Sequence, residues 1–184
     1  MAVESRLIEI GKVMPEFSLK DPFGKEFSSK QLMGEKGLLV VFTCNHCPYA
    51  KAIWPRLIKL SQDIMKRGIN VVAINSNAAN KEYPDDSVEE MKKKIDEWKI
   101  PFPYLVDETQ EVARSYGAEC TPDIYLLDKN MKLFYHGRFD DNWKDLSAVK
   151  KEELKEACEL LIQGKNPPSE QHPSMGCSIK WINV

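Results

Sequence analysis

Leu38-Leu39-Val40-Val41-Phe42 is an apolar run with no polar residue in it. A strand of that kind has no face to offer to water. It fits only the middle of a sheet covered by other layers above and below. Cys44-Asn45-His46-Cys47 follows at once, and then Ile53, Leu57, Leu60 and Ile64 recur at helical spacing as far as Gly68. Gly68 reads as the end of that helix and Pro55 as a kink within it. A second apolar run, Ile69 to Ile74, reads as the next buried strand.

The remaining segments extend the pattern. Phe17-Ser18-Leu19-Lys20 and Glu26-Phe27-Ser28 alternate around the turn Asp21-Pro22-Phe23-Gly24, which reads as a hairpin-like entry. Ser87 with Glu90 opens a helix whose buried stripe is Val88, Met91, Ile95 and Trp98. Tyr104-Leu105-Val106 is a short strand, and Asp107 with Gln110 caps a brief helix that closes at Gly117. Ile124 to Leu127 and Leu133 to Phe139 read as a strand pair turned at Asp128-Lys129-Asn130. Leu154, Cys158 and Leu161 line a last helix that ends at Gly164. Strands alternating with helices, then a strand pair and a helix, predict one α/β domain over 1–184. Its sheet is mixed, with helices on both faces. The stretch 165–184, with Pro167, Pro168 and Pro173, is expected to cross the surface as an irregular tail.

Composition excludes several classes. A length of 184 residues suits one full hydrophobic core. A formal charge of −2 gives no reason to expect nucleic acid or an anionic membrane as partner. No apolar run approaches the ~20 residues of a membrane span. The opening Met1-Ala2-Val3-Glu4-Ser5-Arg6 lacks the apolar core of a secretory signal, so a cytoplasmic location is expected. Five cysteines, an odd count, do not make a disulfide scaffold.

Two cysteines separated by two residues, where a strand turns into a helix, read as a dithiol that cycles with a disulfide. The spacing predicts both sulfurs in the first helical turn, where the helix N-terminus favours the thiolate. The alternative is half of a zinc site, which would want a second Cys or Cys/His pair at ligand spacing. None is present, and neither metal nor cofactor is expected. A further alternative is a Cu(I)-binding chaperone, since thiolates suit Cu(I).

Several motifs carry a resemblance. They are Pro15-Glu16-Phe17-Ser18-Leu19-Lys20-Asp21 with Gly24-Lys25, Asn45-His46-Cys47-Pro48-Tyr49 and Ala73-Ile74-Asn75-Ser76-Asn77. Phe102-Pro103-Tyr104-Leu105, Cys120-Thr121-Pro122-Asp123 and Gly176-Cys177-Ser178-Ile179-Lys180-Trp181 complete the set. Together they resemble the thioredoxin fold and, more narrowly, the peroxiredoxin-like branch of the alkyl hydroperoxide reductase / thiol-specific antioxidant (redoxin) superfamily. The resemblance covers nearly the whole chain. It implies a three-layer sandwich with a central mixed sheet and an N-terminal β-hairpin.

The same resemblance implies a thiol–disulfide oxidoreductase. Cys44, the more exposed thiol, would attack, and Cys47 would resolve the mixed disulfide. His46 would lower the Cys44 pKa and make the couple more oxidising. Thr121 and a cis Pro122 would face the dithiol and present backbone N–H and C=O groups to an incoming chain, as in strand addition. Expected partners are protein or low-molecular-weight disulfides, hydroperoxides, and a thiol electron donor such as a thioredoxin-like protein or glutathione. In a cytosol poised near about −220 to −320 mV the dithiol would rest mostly reduced.

A second alignment is a thiol peroxidase of peroxiredoxin type, with Cys47-Pro48 as the peroxide-reacting pair. The threonine that such enzymes carry three residues earlier is replaced here by Cys44. Leu38 stands where thioredoxins bury an aspartate, and Phe42-Thr43 replaces their tryptophan. Cys177 is a candidate third redox thiol brought in by the tail, or else a cysteine docked on the core with Trp181 as anchor. Cys158 and Cys120 read as packing residues, His136 as structural and His172 as solvated. Asn75, Ser76 and Asn77 either contact substrate or cap a loop. Lys92-Lys93-Lys94 reads as a solvated helix face.

Overall fold

The computed structural model describes residues 2–182. Its elements, in chain order, begin with β1 (Ala2–Glu4), β2 (Ser18–Lys20), β3 (Glu26–Ser28), α1 (Ser29–Leu32), β4 (Gly37–Phe42) and α2 (Pro48–Ile64). Next come β5 (Ile69–Asn75), α3 (Val88–Glu97), β6 (Tyr104–Val106), α4 (Glu111–Tyr116) and β7 (Cys120–Thr121). The chain continues with β8 (Asp123–Asp128), β9 (Leu133–His136), α5 (Glu153–Ile162) and β10 (Met175–Ser178). The main sheet has the order β3-β2-β6-β5-β4-β8-β9. β4 pairs parallel with β5 and antiparallel with β8, so the sheet is mixed.

The apolar run sits where its composition demands. All of β4 is buried, and its side chains alternate between two cores. Leu39 and Val41 join Ile53 and Leu57 of α2, Met91 of α3, and Leu154, Cys158 and Leu161 of α5. Leu38, Val40 and Phe42 join Ala113 and Tyr116 of α4 with Phe17 and Leu32 on the opposite face. At the start of β4 a Cβ on Gly37 would lie 2.1 Å from the Leu127 carbonyl oxygen, so only glycine admits β8 at that distance.

Three local expectations change. α2 starts at Pro48, with Cys47 in the N-cap position. Proline suits the first helical position because its missing N–H would be unpaired there anyway. Cys44 therefore precedes the helix, and the two sulfurs do not share its first turn. At α4 the cap position belongs to Gln110, in the left-handed region at φ 63°. Asp107 still serves the helix start, since its carboxylate accepts from the Ala113 and Val112 N–H groups at 2.9 and 3.3 Å.

The third change matters most. The tail expected to be irregular holds β10, which lies between β1 and β7 in a second, three-stranded sheet. Cys177 is opposite Ala2 on one side and Thr121 on the other. The segment is pinned at both ends. Ser174 Oγ donates to the Gly137 carbonyl at 2.7 Å, and the Ile179 N–H donates to the Glu119 carbonyl at 3.0 Å. Trp181 lies under the Arg114 guanidinium, 4.4 Å from ring centroid to charge. His172, expected to be solvated, is partly covered and places Nδ1 3.3 Å from a Glu153 oxygen. Asn183 and Val184, the end of the expected tail, lie outside the described residues.

Candidate active site

The loop from β4 to α2 is built around a carboxylate. Asp86 Oδ1 accepts from the Asn45 and His46 backbone N–H groups at 2.8 and 3.1 Å. Its Oδ2 accepts from His46 Nδ1 at 2.5 Å and from the Asn77 amide at 2.9 Å. Asn75 holds the Asp86 carbonyl at 2.9 Å, and Tyr104 donates to Asn45 Oδ1 at 3.1 Å. Burial pushes the Asp86 carboxyl up, but the bonds from His46, Asn77 and Asn45 outweigh it and hold it below the usual carboxylate value. Asn75 and Asn77 thus shape the loop. Sequence reasoning passed over Asp86 because Pro84-Asp85-Asp86-Ser87 looks like an ordinary helix entry.

Thr121 and Pro122 lie opposite the thiols, and the peptide bond between them is cis. Thr121 Oγ1 shares a hydrogen bond with Cys44 Sγ at 3.4 Å, and Cys47 Sγ lies 3.1 Å from the Thr121 carbonyl oxygen. Cys177 packs against the same cluster from β10. Five of the residues singled out in the sequence therefore meet in one place: Cys44, Cys47, Thr121, Pro122 and Cys177.

The exposure and ionisation of the pair differ from expectation. Cys44 is not the more exposed thiol, because both cysteines are fully buried. Nor is its pKa lowered. Burial pushes it well up, and the Asp86 charge adds to that. Cys47 moves the other way, to about 4. As a thiolate it accepts from the Cys44 thiol first, then, against burial, from the Cys177 thiol and the backbone N–H groups of Ala50 and Cys177. The Ala50 donor is an unpaired N–H of the first turn of α2, available because Cys47 is the cap. The Cys177 thiol is raised to about 11 by its burial and by the neighbouring Cys47.

His46 is turned towards Asp86, and its ring also stacks on Tyr83 at 5.3 Å. The donor atoms of Cys44, His46 and Asp86 lie within 4.8 Å of one another. A cation there would have to break the His46–Asp86 bond, and a carboxylate in the set does not suit Cu(I). Cys120 is buried and its thiol donates to the Pro122 carbonyl at 3.4 Å, so it packs behind the site. His136 is a buried partner of Asp123, at 2.9 Å.

Residues 10–136 match the AhpC/TSA family. The chain belongs to the AhpC/TSA family. It is 42% identical to a conserved protein of Geobacillus kaustophilus whose crystal structure superposes with a TM-score of 0.94, over 100% of this chain and 98% of that one. It also resembles the thioredoxin domain of a thiol-disulfide oxidoreductase from Bacteroides vulgatus, at 23% identity and TM-score 0.59, over 71% and 89% of the two chains. That likeness shows a thioredoxin fold, with helices on both faces of the mixed sheet. Among curated proteins it is 24% identical over 160 residues to the thiol-disulfide oxidoreductase ResA of Bacillus thuringiensis subsp. konkukian, covering 87% of this chain and 80% of that one. Among the described residues no helix is long and apolar enough to cross a membrane.

Proposed function

We propose that this chain is a cytoplasmic thiol–disulfide oxidoreductase in which Cys47 attacks and Cys44 resolves. That order is the reverse of the one the thioredoxin alignment implies. The observation that carries it is the position of Cys47 at the N-cap of α2, where the unpaired Ala50 N–H and the neighbouring Cys44 and Cys177 groups favour its thiolate. The AhpC/TSA match and the likeness to ResA support the reaction class.

The steps balance as follows. Cys47 thiolate attacks one sulfur of a disulfide, forms a mixed disulfide and expels the other sulfur as thiolate. Cys44 passes its proton to the expelled thiolate and attacks Cys47 Sγ. The Cys44–Cys47 bond forms, the mixed disulfide breaks, and a second thiol leaves. One disulfide is reduced and the protein dithiol is oxidised. An external thiol donor, thioredoxin-like or glutathione, returns it to the reduced state.

Hydroperoxide turnover is the second reading, favoured by the low pKa of Cys47 at a helix start. The thiolate takes the distal peroxide oxygen and a proton, giving Cys47 sulfenic acid and an alcohol or water. Cys44 or the adjacent Cys177 then condenses with it, releasing water. Cys177 enters this scheme as a third redox thiol.

The test is turnover of a small aromatic disulfide and of hydrogen peroxide by wild type, Cys47→Ser and Cys44→Ser. Cys47→Ser should lose both activities, and Cys44→Ser should accumulate a mixed disulfide on Cys47. Retention of both activities by Cys47→Ser overturns the proposal. Mass mapping after one equivalent of peroxide assigns the partner, with a Cys47–Cys177 link placing the third thiol in the cycle.

A further inference from the structure

Thr121 carries a strand edge that adjoins the thiols, and that edge is filled. Its carbonyl is 3.1 Å from Cys47 Sγ, so a chain paired with β7 necessarily runs beside that sulfur. The chain that does so is β10, antiparallel, with Cys177 opposite Thr121 and Ser178 opposite Cys120. Strand addition at this edge is how an extended polypeptide would engage such a site through backbone bonds. Here the protein satisfies the edge with its own segment.

β10 is not loosely laid there. Its other edge is paired with β1 through Ala2, Val3 and Glu4. Residues on both sides of it are anchored. The Ser174 N–H donates to Ser5 Oγ at 3.1 Å, and the Lys180 N–H donates to Asn77 Oδ1 at 2.9 Å. Ile179 is buried. At Gly176 a Cβ would lie 2.0 Å from the Thr121 carbonyl oxygen, so the strand rests directly on the backbone of the cis-proline turn. Displacing it would break two rows of backbone pairing and expose a buried isoleucine.

The open approach beside the strand is small. A groove of about 290 Å3 runs past Pro122, with Tyr49, Trp143 and Met175 among its apolar walls and Arg138, Asp140 and Asp141 among its charged ones. Tyr49 follows Cys47-Pro48 in the first turn of α2, so the groove lies on the side of the site where that turn begins. Its size and partly aromatic lining suit a small organic molecule and not a folded chain.

We infer that β10 is a fixed occupant of the polypeptide-docking edge, and that the dithiol exchanges with low-molecular-weight aromatic or apolar disulfides and not with disulfides of polypeptides. The inference rests on the dithiol reading above and names its substrate class.

The experiment compares reduced wild type and Gly176→Val in single-turnover oxidation by dithiodipyridine and by insulin. Each rate is divided by that of free dithiothreitol with the same probe. Wild type should fall at least about a hundredfold lower with insulin than with dithiodipyridine on this scale. Gly176→Val, whose side chain cannot fit against Thr121, should show fast amide exchange in β10. Undocking also withdraws the Cys177 donors from Cys47 and so changes both rates, and the insulin rate relative to the dithiodipyridine rate should rise at least about tenfold. Equal normalised wild-type rates overturn the inference, and that ratio decides even if Gly176→Val does not fold. Undocking of β10 without a rise in the insulin rate relative to the dithiodipyridine rate also overturns it. If wild type reacts with neither probe, the dithiol reading itself falls and the inference falls with it.

Discussion

His46 Nδ1 donates to the buried Asp86 Oδ2 across 2.5 Å, which commits the imidazole of the cysteine loop to a carboxylate. Asp86 in turn holds the Asn45 and His46 backbone N–H groups. The loop between the two cysteines is therefore shaped by a residue of another segment. Replacing Asp86 by alanine leaves these buried donors and the Asn77 amide without an acceptor. The expected loss is about 3 kcal/mol, at 1–3 kcal/mol for an orphaned buried group with partial relaxation. Asp86→Asn keeps the shape, should lose less, and should lower the Cys44 pKa because a repelling charge is gone. Urea denaturation and thiol titration read the two effects. Wild-type midpoints for both variants would contradict the role given to Asp86.

The same carboxylate makes a statement about acid. Its folded pKa is below the ordinary 3.8, so the folded state binds this proton less readily than the unfolded chain. The stability it contributes is complete above that ordinary value and is lost as pH falls through the lower folded value. The stability gap between wild type and Asp86→Asn should accordingly shrink on acidification below pH 3.8. A gap independent of pH in that range would show that the charge of Asp86 is not favoured by folding.

Cys47 should titrate far below its neighbours. Ultraviolet thiolate absorbance should show one step with a midpoint at about 4 that Cys47→Ser removes. Since the Cys44 thiol is the largest contributor, Cys44→Ala should move the midpoint up. Cys44→Ser, which keeps a donor, should move it less. Single-turnover exchange with dithiodipyridine should stay flat from neutral pH down towards that midpoint and fall below it. A first step near the ordinary cysteine value of 9.0 would remove the basis for naming Cys47 as the attacking thiol.

Behind the site, His136 Nε2 meets Asp123 Oδ1 at 2.9 Å, and the Ile8 N–H donates to His136 Nδ1 at 3.2 Å. That acceptor role puts the ring proton on Nε2, towards the carboxylate. Asp123 Oδ2 also takes the Glu119 N–H at 3.1 Å. His136→Phe would strand a buried carboxylate and a backbone donor. A loss of about 3 kcal/mol is expected, the upper end for a hydrogen bond to a charged group. A thermal midpoint unchanged from wild type would refute it.

What the sequence made readable is what local pattern determines. The run Leu38 to Phe42 has one solution, a central strand, and the structure adopts it. Thr121-Pro122 and the stripe of Leu154, Cys158 and Leu161 also lie where their patterns place them, and the thiol pair sits at the strand-to-helix turn but outside the helix. The start of α2 was harder, although one signal was present: proline after Cys47 marks a first helical position and makes Cys47 the cap. Asp86 acts on residues 40 and 41 positions away, and nothing in its own neighbourhood reports that. β10 was illegible for the same reason. Met-Gly-Cys-Ser shows no alternation, and its pairing is decided by Ala2–Glu4 and Cys120–Thr121, at the far end and the middle of the chain.

The second sheet also fixes an order of events in synthesis. Every residue of the Cys44–Cys47 loop, its Asp86 support and the Thr121-Pro122 turn is made before β10. A nascent chain folding from its N-terminus carries a finished dithiol with no cover until residues 175–178 have emerged. Its thiols are more open to stray oxidants and foreign chains at that stage, and a strand translated after them is the one that packs against them.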